Sequence, residues 1–190
     1  MQIKPTRCAW VNLNNPVYIR YHDEEWGRPC HDDRQLYELL ILESFQAGLS
    51  WECVLNKREN FRRAFDGFDA AKVAAYGTAD VERLLADAGI IRNRAKIRAV
   101  IGNSAVFLQL QVQFGSFDRY LWDFCGNAVL WEPCDQAVES PLSRALSADL
   151  RRRGMRFVGS TILYSYLQAV GIIDGHTGDC FLCKKQKNFT

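Results

Sequence analysis

No apolar run in this 190-residue chain approaches the roughly 20 residues that a bilayer-spanning helix requires. Met1 is not followed by a charged stretch and an apolar core, so no signal peptide is expected and the chain reads as cytoplasmic. Excess charge of one sign is also lacking. The 24 Lys and Arg residues against 22 Asp and Glu leave a net charge of +2, which by itself predicts no nucleic-acid partner. Seven cysteines, odd in number and irregularly spaced, argue against a secreted disulfide framework. There is no internal repeat, no low-complexity segment and no linker. Histidine is rare, with three residues. Acidic residues are missing altogether between Asp87 and Asp118.

What is present is ample core material. Hydrophobic residues make up 48%, with eleven Phe and five Trp, which suits one packed domain. The punctuation predicts an all-α fold of many short helices. Asp32 or Asp33 can cap a helix from about Arg34 to Ala47, and Ser50 one that ends near Phe65. Asp69 caps a short helix through Ala75, and Thr78 another over Ala79–Ala88. A long helix follows over about Arg92–Gln113, then one over Phe117–Phe124. Ser140-Pro141 starts a helix that ends at Gly154. The last runs over about Val158–Val170 and stops at Gly171. Asn127 to Trp131 is a candidate extended stretch.

Two of the three histidines fall beside cysteines at opposite ends of the chain. Cys8 and His22 lie near one end and His176 and Cys180 near the other. A Cys₂His₂ set suits a closed, tetrahedral, structural zinc site, which would tie the two ends together. Cys183 forms a C-x-x-C with Cys180 and competes for the fourth position; the H-x-x-x-C spacing favours Cys180. Cys30, Cys53, Cys125 and Cys134 read as small core or surface residues.

Charge is distributed more tellingly than its sum. Arg92, Arg94, Lys96 and Arg98 crowd the start of the acid-free stretch. Arg151, Arg152, Arg153 and Arg156 form a second cluster, and Lys184, Lys185 and Lys187 a third. Such blocks can neutralise phosphates, or simply be solvated helix ends. Leu84 to Ile97 reads as helix, tight turn, helix, with Gly89 allowing a positive φ in the turn. Cations are disfavoured at a helix N-terminus, so the basic residues there make sense if an anion sits among them. The pattern resembles the helix-hairpin-helix of DNA repair glycosylases, although Ile91 stands where a second glycine is usual.

Glu43 interrupts the apolar stripe of Leu36, Leu39, Leu40 and Ala47. A buried, unpaired carboxylate is costly, so it is expected to be either salt-bridged to an Arg or functional. The functional alternative is a hydrogen-bond acceptor in an aromatic pocket. Trp10, Tyr18, Tyr21, Trp26 and Trp51, all in the first third, offer flat surfaces with polar tips suited to a planar base.

Cys8-Ala9-Trp10-Val11, Tyr21-His22-Asp23-Glu24-Glu25-Trp26-Gly27 and Leu42-Glu43-Ser44-Phe45-Gln46-Ala47-Gly48-Leu49-Ser50-Trp51 resemble the bacterial 3-methyladenine DNA glycosylase I family. So do Lys57-Arg58-Glu59-Asn60-Phe61, Asp87-Ala88-Gly89-Ile90-Ile91-Arg92 and Phe157-Val158-Gly159-Ser160-Thr161-Ile162. The resemblance runs from Cys8 to Cys180. It implies one glycosylase domain over the whole chain, with the hairpin at about 79–113 and zinc-binding ends at about 8–22 and 176–183. It implies Cys8, His22, His176 and Cys180 as zinc ligands. Glu43, Tyr21 and Trp51 would recognise the methylated adenine, with Trp10, Tyr18 and Trp26 completing the wall. Gly48 and Leu49 would form a DNA-facing tip, and Gly89, Ile90, Ile91, Arg92 and Arg94 would contact DNA. Phe45 stands where the family is often polar, which would alter the DNA-facing surface, and Ala95 where it often has Gly.

The expected activity is hydrolysis of the N-glycosidic bond of N3-methyladenine in duplex DNA, by a monomer. Asn93 occupies the position where bifunctional relatives carry Lys, so no lyase step is expected. The acid-free stretch lacks the Asp that many enzymes of this architecture place after the hairpin, so weak action on neutral lesions is expected. The alternatives are a non-catalytic, zinc-stapled DNA-binding module on the same scaffold, or a plain zinc-stapled interaction domain.

Overall fold

A computed structural model describes residues 5–132 and 137–183. Cys134 and the Lys184, Lys185 and Lys187 cluster therefore lie outside the described residues. The described chain is helical apart from one short strand pair. In order it contains α1 (Pro16–Glu24), α2 (Asp33–Gln46), α3 (Trp51–Leu55), α4 (Arg58–Ala64), α5 (Ala70–Ala74), α6 (Thr78–Ala86), α7 (Arg94–Phe114), α8 (Phe117–Phe124), β1 (Leu130–Trp131), α9 (Pro141–Arg152), α10 (Ser160–Ala169) and β2 (Ile173–Asp174). None of these helices is long and apolar enough to cross a membrane.

The sequence reading omitted α1. Its start is ordinary chemistry, with Pro16 in the first turn and the Asn15 side chain accepting from the Val17 and Tyr18 N–H groups. Tyr18, Tyr21 and His22 fall on its buried side at helical spacing.

α2 is the central helix. Asp32 caps it by accepting from the Gln35 N–H, and every residue from Leu36 to Phe45 is buried. The apolar stripe is thus an all-round covering, the mark of a helix enclosed by neighbours. Ile41 and Leu42, which lie off the expected stripe, are buried with the rest.

The helix expected from Ser50 to Phe65 is broken at Asn56-Lys57 into α3 and α4. The break has local partners. Asn56 Oδ1 accepts from Asn15 at 2.9 Å, and the Lys57 ammonium reaches the Ala88 and Gly89 carbonyls at 3.3 Å. α6 begins one residue early, with Gly77 at the cap position and no side-chain cap bond. α7 starts at Arg94, because Asn93 caps it by accepting from the Lys96 N–H.

β1 and β2 pair in parallel, Leu130 with Ile173 and Trp131 with Asp174. The expected extended stretch over Asn127–Trp131 thus pairs just beyond α10. At the end of α10, Gly171 has φ +74°, and a Cβ there would overlap the Arg28 carbonyl. This close approach lets Cys30 N–H donate to the Val170 carbonyl at 3.0 Å and Gly27 N–H to that of Gln168 at 3.1 Å. The N-terminal loop is so laid across the end of α10.

Gly171→Ala combines a left-handed backbone with a backbone overlap. It should lower unfolding stability by about 2–4 kcal/mol, read from the denaturant midpoint; an unshifted midpoint would contradict this packing.

Candidate active site

A cavity of about 290 Å³ lies where α1, α2, α3 and α10 converge. α2 supplies Glu43 and Gln46, α1 supplies Tyr18 and Tyr21, and α3 supplies Trp51. Trp10 and Trp26 close it from the N-terminal loops, and α10 presents Thr161, Tyr164, Ser165 and Gln168. These four recur at helical spacing, so one face of α10 forms a wall.

Glu43 is 2% exposed, and its Oε2 has no hydrogen-bond partner. No arginine answers it among the described residues. Arg58, on the neighbouring α4, is consumed by Glu25 at 2.6 Å and by Glu38, so the salt-bridge alternative fails. Burial pushes the Glu43 carboxyl well above its ordinary value, because no positive group offsets desolvation. Trp51 Nε1 is likewise buried without a partner. Burial, and then the Glu43 charge, raise the Tyr21 hydroxyl well above its usual value. The Tyr18 hydroxyl is pushed up to about 12, by burial first and then by Glu52 and Glu43.

The aromatic wall is continuous. Trp10 packs on Tyr18 at 5.4 Å and on Trp26 at 4.8 Å, and Tyr21 on Trp51 at 5.4 Å between ring centres. Trp26 in turn packs edge-on against His176 at 4.7 Å. Behind it, Cys8, His22 and Cys180 bring their ligand atoms within 4.8 Å of one another, all buried. His176 stands beside this trio, its ring 5.5 Å from that of His22. Its Nδ1 meets Asp174 at 2.8 Å, and its Nε2 is buried without a partner. His22 is oriented in the same way, Nδ1 to Asp23 at 2.8 Å. Paired carboxylates on one ring nitrogen leave the other for a metal. Cys183, the competing ligand, is outside the trio.

The hairpin consists of α6, the 87–93 turn and α7. Gly89 does not adopt the left-handed conformation expected of it. It is glycine for space, since a Cβ would lie 2.9 Å from Asp87 Oδ1 and 3.1 Å from Asn60. Gly89 N–H donates to Asp87 Oδ1 at 2.7 Å and Ile90 N–H to the Asp87 carbonyl at 3.4 Å. Ile90 has its side chain buried. Among the described residues, the N–H groups of Ile91 and Arg92 have no acceptor. Arg94 is exposed but held by Glu82 at 2.5 Å. Lys96 is buried and donates to the Phe45 and Ala47 carbonyls at 2.8 and 2.5 Å. It therefore secures the end of α2 rather than meeting an outside anion. In the second cluster, Arg152 and Arg153 are both bound to Asp149.

The loop between α2 and α3 carries Gly48 at φ +78° and Leu49, 42% exposed. Phe45 is fully buried against Phe61 at 4.7 Å. It does not reach the outer surface that its position in the motif had suggested it would alter.

Residues 10–183 match the family model described as methyladenine glycosylase. The chain belongs to the methyladenine glycosylase family. It is 47% identical over 178 residues to DNA-3-methyladenine glycosylase 1 of Escherichia coli (strain K12), covering 92% of this chain and 95% of that protein. A crystal structure of a 3-methyladenine DNA glycosylase I superposes with a TM-score of 0.89 at 44% identity, over 93% of this chain and 99% of that one. A variant of 3-methyladenine DNA glycosylase I in complex with 3-methyladenine superposes with a TM-score of 0.88 at 34% identity, over 92% and 96% of the two chains.

Within this methyladenine glycosylase scaffold, the structure gathers all six sequence-predicted pocket residues around one cavity. The sequence reading missed Gln46 and the whole α10 wall. Gln46 lies one helical turn beyond Glu43 and was within reach of a spacing argument; the α10 residues required the tertiary fold.

The raised Glu43 carboxyl has a stability consequence. The folded chain holds a proton that the unfolded chain releases above the ordinary carboxylate value. Stability is therefore full below that value and falls as pH rises toward the folded one. Glu43→Gln removes this dependence. It should raise the melting temperature of the ligand-free protein at pH 7–8 by roughly 2–4 °C, as expected for about 1 kcal/mol, with little gain at pH 4. Equal melting temperatures at both pH values would contradict the burial of a titrating carboxyl.

Proposed function

We infer that this chain is a DNA-3-methyladenine glycosylase that hydrolyses the N-glycosidic bond of N3-methyladenine in alkylated duplex DNA. The carrying observation is Glu43, a buried carboxyl with no protein partner, set in an aromatic cavity on a methyladenine glycosylase scaffold. A base enters such a cavity only after leaving the stack. Leu49 and Gly48, exposed at the tip of the α2–α3 loop, suit the gap left behind. Ile91 and Arg92, with free N–H groups, suit a backbone phosphate.

Methylation at N3 makes the nucleotide base cationic. Glu43, whose neutral form burial favours in the empty cavity, can give up its proton when a cation arrives and become the matching anion. Faces of Trp10 and Trp51 add cation–π attraction of about 1–2 kcal/mol. Cleavage breaks the bond between the sugar C1′ and the base N9. The electron pair passes to the base and cancels its charge, and water adds to the electron-deficient C1′ and gives up a proton to solvent, leaving a hydroxyl there. Because the leaving group is already good, little acid catalysis is demanded, in keeping with the acid-free stretch over 88–117. The product is the free base and an abasic site. Asn93 is spent as the α7 cap and offers no amine, which supports a monofunctional enzyme. A non-catalytic DNA-binding module would not need a partnerless carboxyl in an open cavity.

The donor set at the termini fits zinc. Cys8, His22 and Cys180 converge, and the orphaned Nε2 of His176 supplies a fourth donor of the right kind. These four residues would hold the ion, with a purely structural role, since four protein ligands leave no open position for water. Burial pushes the Cys8 thiol up to about 12, so loading would release its proton.

In single-turnover assays on methylated DNA, Glu43→Gln should slow release of 3-methyladenine by about 10–100-fold, the worth of one charge-assisted hydrogen bond. Wild-type rates in that variant would remove Glu43 from the reaction. Purified protein should carry one zinc per chain by elemental analysis. Cys8→Ser should lose it and melt earlier while keeping the single-turnover rate at low temperature; a zinc-free variant of unchanged stability would contradict the structural role.

A further inference from the structure

The cavity holds one buried polar group that recognition by Glu43 and the aromatic wall does not use. Gln168, in the last turn of α10, is 8% exposed and lines the cavity. Its side-chain Nε2 is buried with no hydrogen-bond partner. The backbone of the same residue is fully committed, its carbonyl accepting from both Gly27 N–H and Gly171 N–H at 3.1 Å. The side chain therefore hangs from a fixed point. Native proteins seldom leave a buried amide N–H unsatisfied, and here the gap coincides with a ligand cavity. Glu43 Oε2 and Trp51 Nε1 are unsatisfied in the same cavity, so three polar atoms await one guest.

We propose that Gln168 is a specificity-determining residue that reads the amino edge of the extruded purine, its Nε2 donating to ring N7 while its Oε1 accepts from the 6-amine. This is the pairing a carboxamide makes with adenine. It rests on the glycosylase reading above and adds a discrimination that the aromatic wall cannot supply. Rings stack on any alkylated purine. A 6-oxopurine presents two acceptors on the same edge, O6 and N7, so either orientation of the amide leaves Oε1 facing an acceptor. The 6-amine carries two hydrogens, so Gln168 and Glu43 can both accept from it. Gln168 thus selects 3-methyladenine over 3-methylguanine.

The test is a cycle between protein and ligand. Gln168→Met keeps the length and shape of the side chain and removes both polar atoms. Dissociation constants are measured for free 3-methyladenine and for 7-deaza-3-methyladenine, which lacks the N7 acceptor. Wild-type protein should bind 3-methyladenine about 100-fold tighter than Q168M, as for two net hydrogen bonds. For the 7-deaza analogue, which keeps only the bond from its 6-amine to Oε1, the loss in Q168M should shrink to about tenfold. Excision from methylated DNA should show the 3-methyladenine to 3-methylguanine preference narrowing by about tenfold in Q168M. A loss in Q168M that is the same for both ligands, or no loss at all, would overturn the proposal. Should Q168M prove unfolded, the side-chain amide signals of Gln168 in wild-type protein decide. They should gain exchange protection with 3-methyladenine and not with the 7-deaza analogue, and equal protection with both, or none with either, would refute the assignment. Wild-type protein that releases no 3-methyladenine would instead sink the glycosylase reading itself.

Discussion

A single buried carboxyl organises this molecule. Glu43 sits in a helix enclosed on all sides, with every residue from Leu36 to Phe45 out of solvent. Nothing in the described protein pairs with it, although Arg58 and Arg62 lie on the adjacent helix. Those guanidinium groups are bound instead by Glu25 and Glu38. The fold thereby keeps available cations occupied a short distance away and leaves one acid without a counter-charge. Such an arrangement is a liability to the folded state. It becomes an asset only when a guest brings positive charge into a space from which water has been displaced, where electrostatic attraction is strongest.

The second constraint is the union of the chain's two ends. Cys8 and His22 meet Cys180, with His176 beside them, across most of the sequence, and Trp26 packs against both histidine rings, at 6.1 Å from His22 and 4.7 Å from His176. Trp26 is also a wall of the cavity, as is Trp10, which touches His22 at 5.3 Å. The putting together of the termini and the shaping of the cavity are therefore one packing problem. Gly171 serves the same end from α10, since only a residue without a side chain lets the Arg28–Cys30 backbone cross so closely. Lys96 performs a comparable service for the hairpin. It spans from α7 to the carbonyls that end α2, and so fixes the helix bearing Glu43 to the element suited to a DNA backbone.

Much of this was legible in the residues themselves. The cap signals at Asp32, Asp69 and Ser140 marked helix starts, because capping is a local interaction between a side chain and the next turn. Glu43 stood out because a charge among apolar neighbours contradicts the helical period. The hairpin was legible in outline, yet two details went astray. Gly89 is expected to allow a positive φ, whereas the constraint is steric and comes from Asp87 Oδ1 nearby and from Asn60, far off in sequence. Lys96 was read as part of an outward basic cluster, whereas it faces the end of α2. A sequence shows that a lysine follows two arginines; it does not show which helix end lies opposite. Phe45 illustrates the same limit, a residue placed on the outer surface by analogy that in fact fills the core. The α10 wall, Gln168 included, was invisible because its residues become neighbours of Glu43 only through tertiary packing.

The central claim is that Glu43 is a partnerless acid whose neutral form is favoured by burial inside the empty cavity. Its titration can be followed directly by carbon-13 NMR of the glutamate carboxyls, with the Glu43 signal assigned by its loss in the glutamine variant. The account predicts a titration well above the ordinary carboxylate range in the ligand-free protein. A Glu43 signal that titrates with the exposed glutamates would show a solvated or paired carboxyl, and would contradict it.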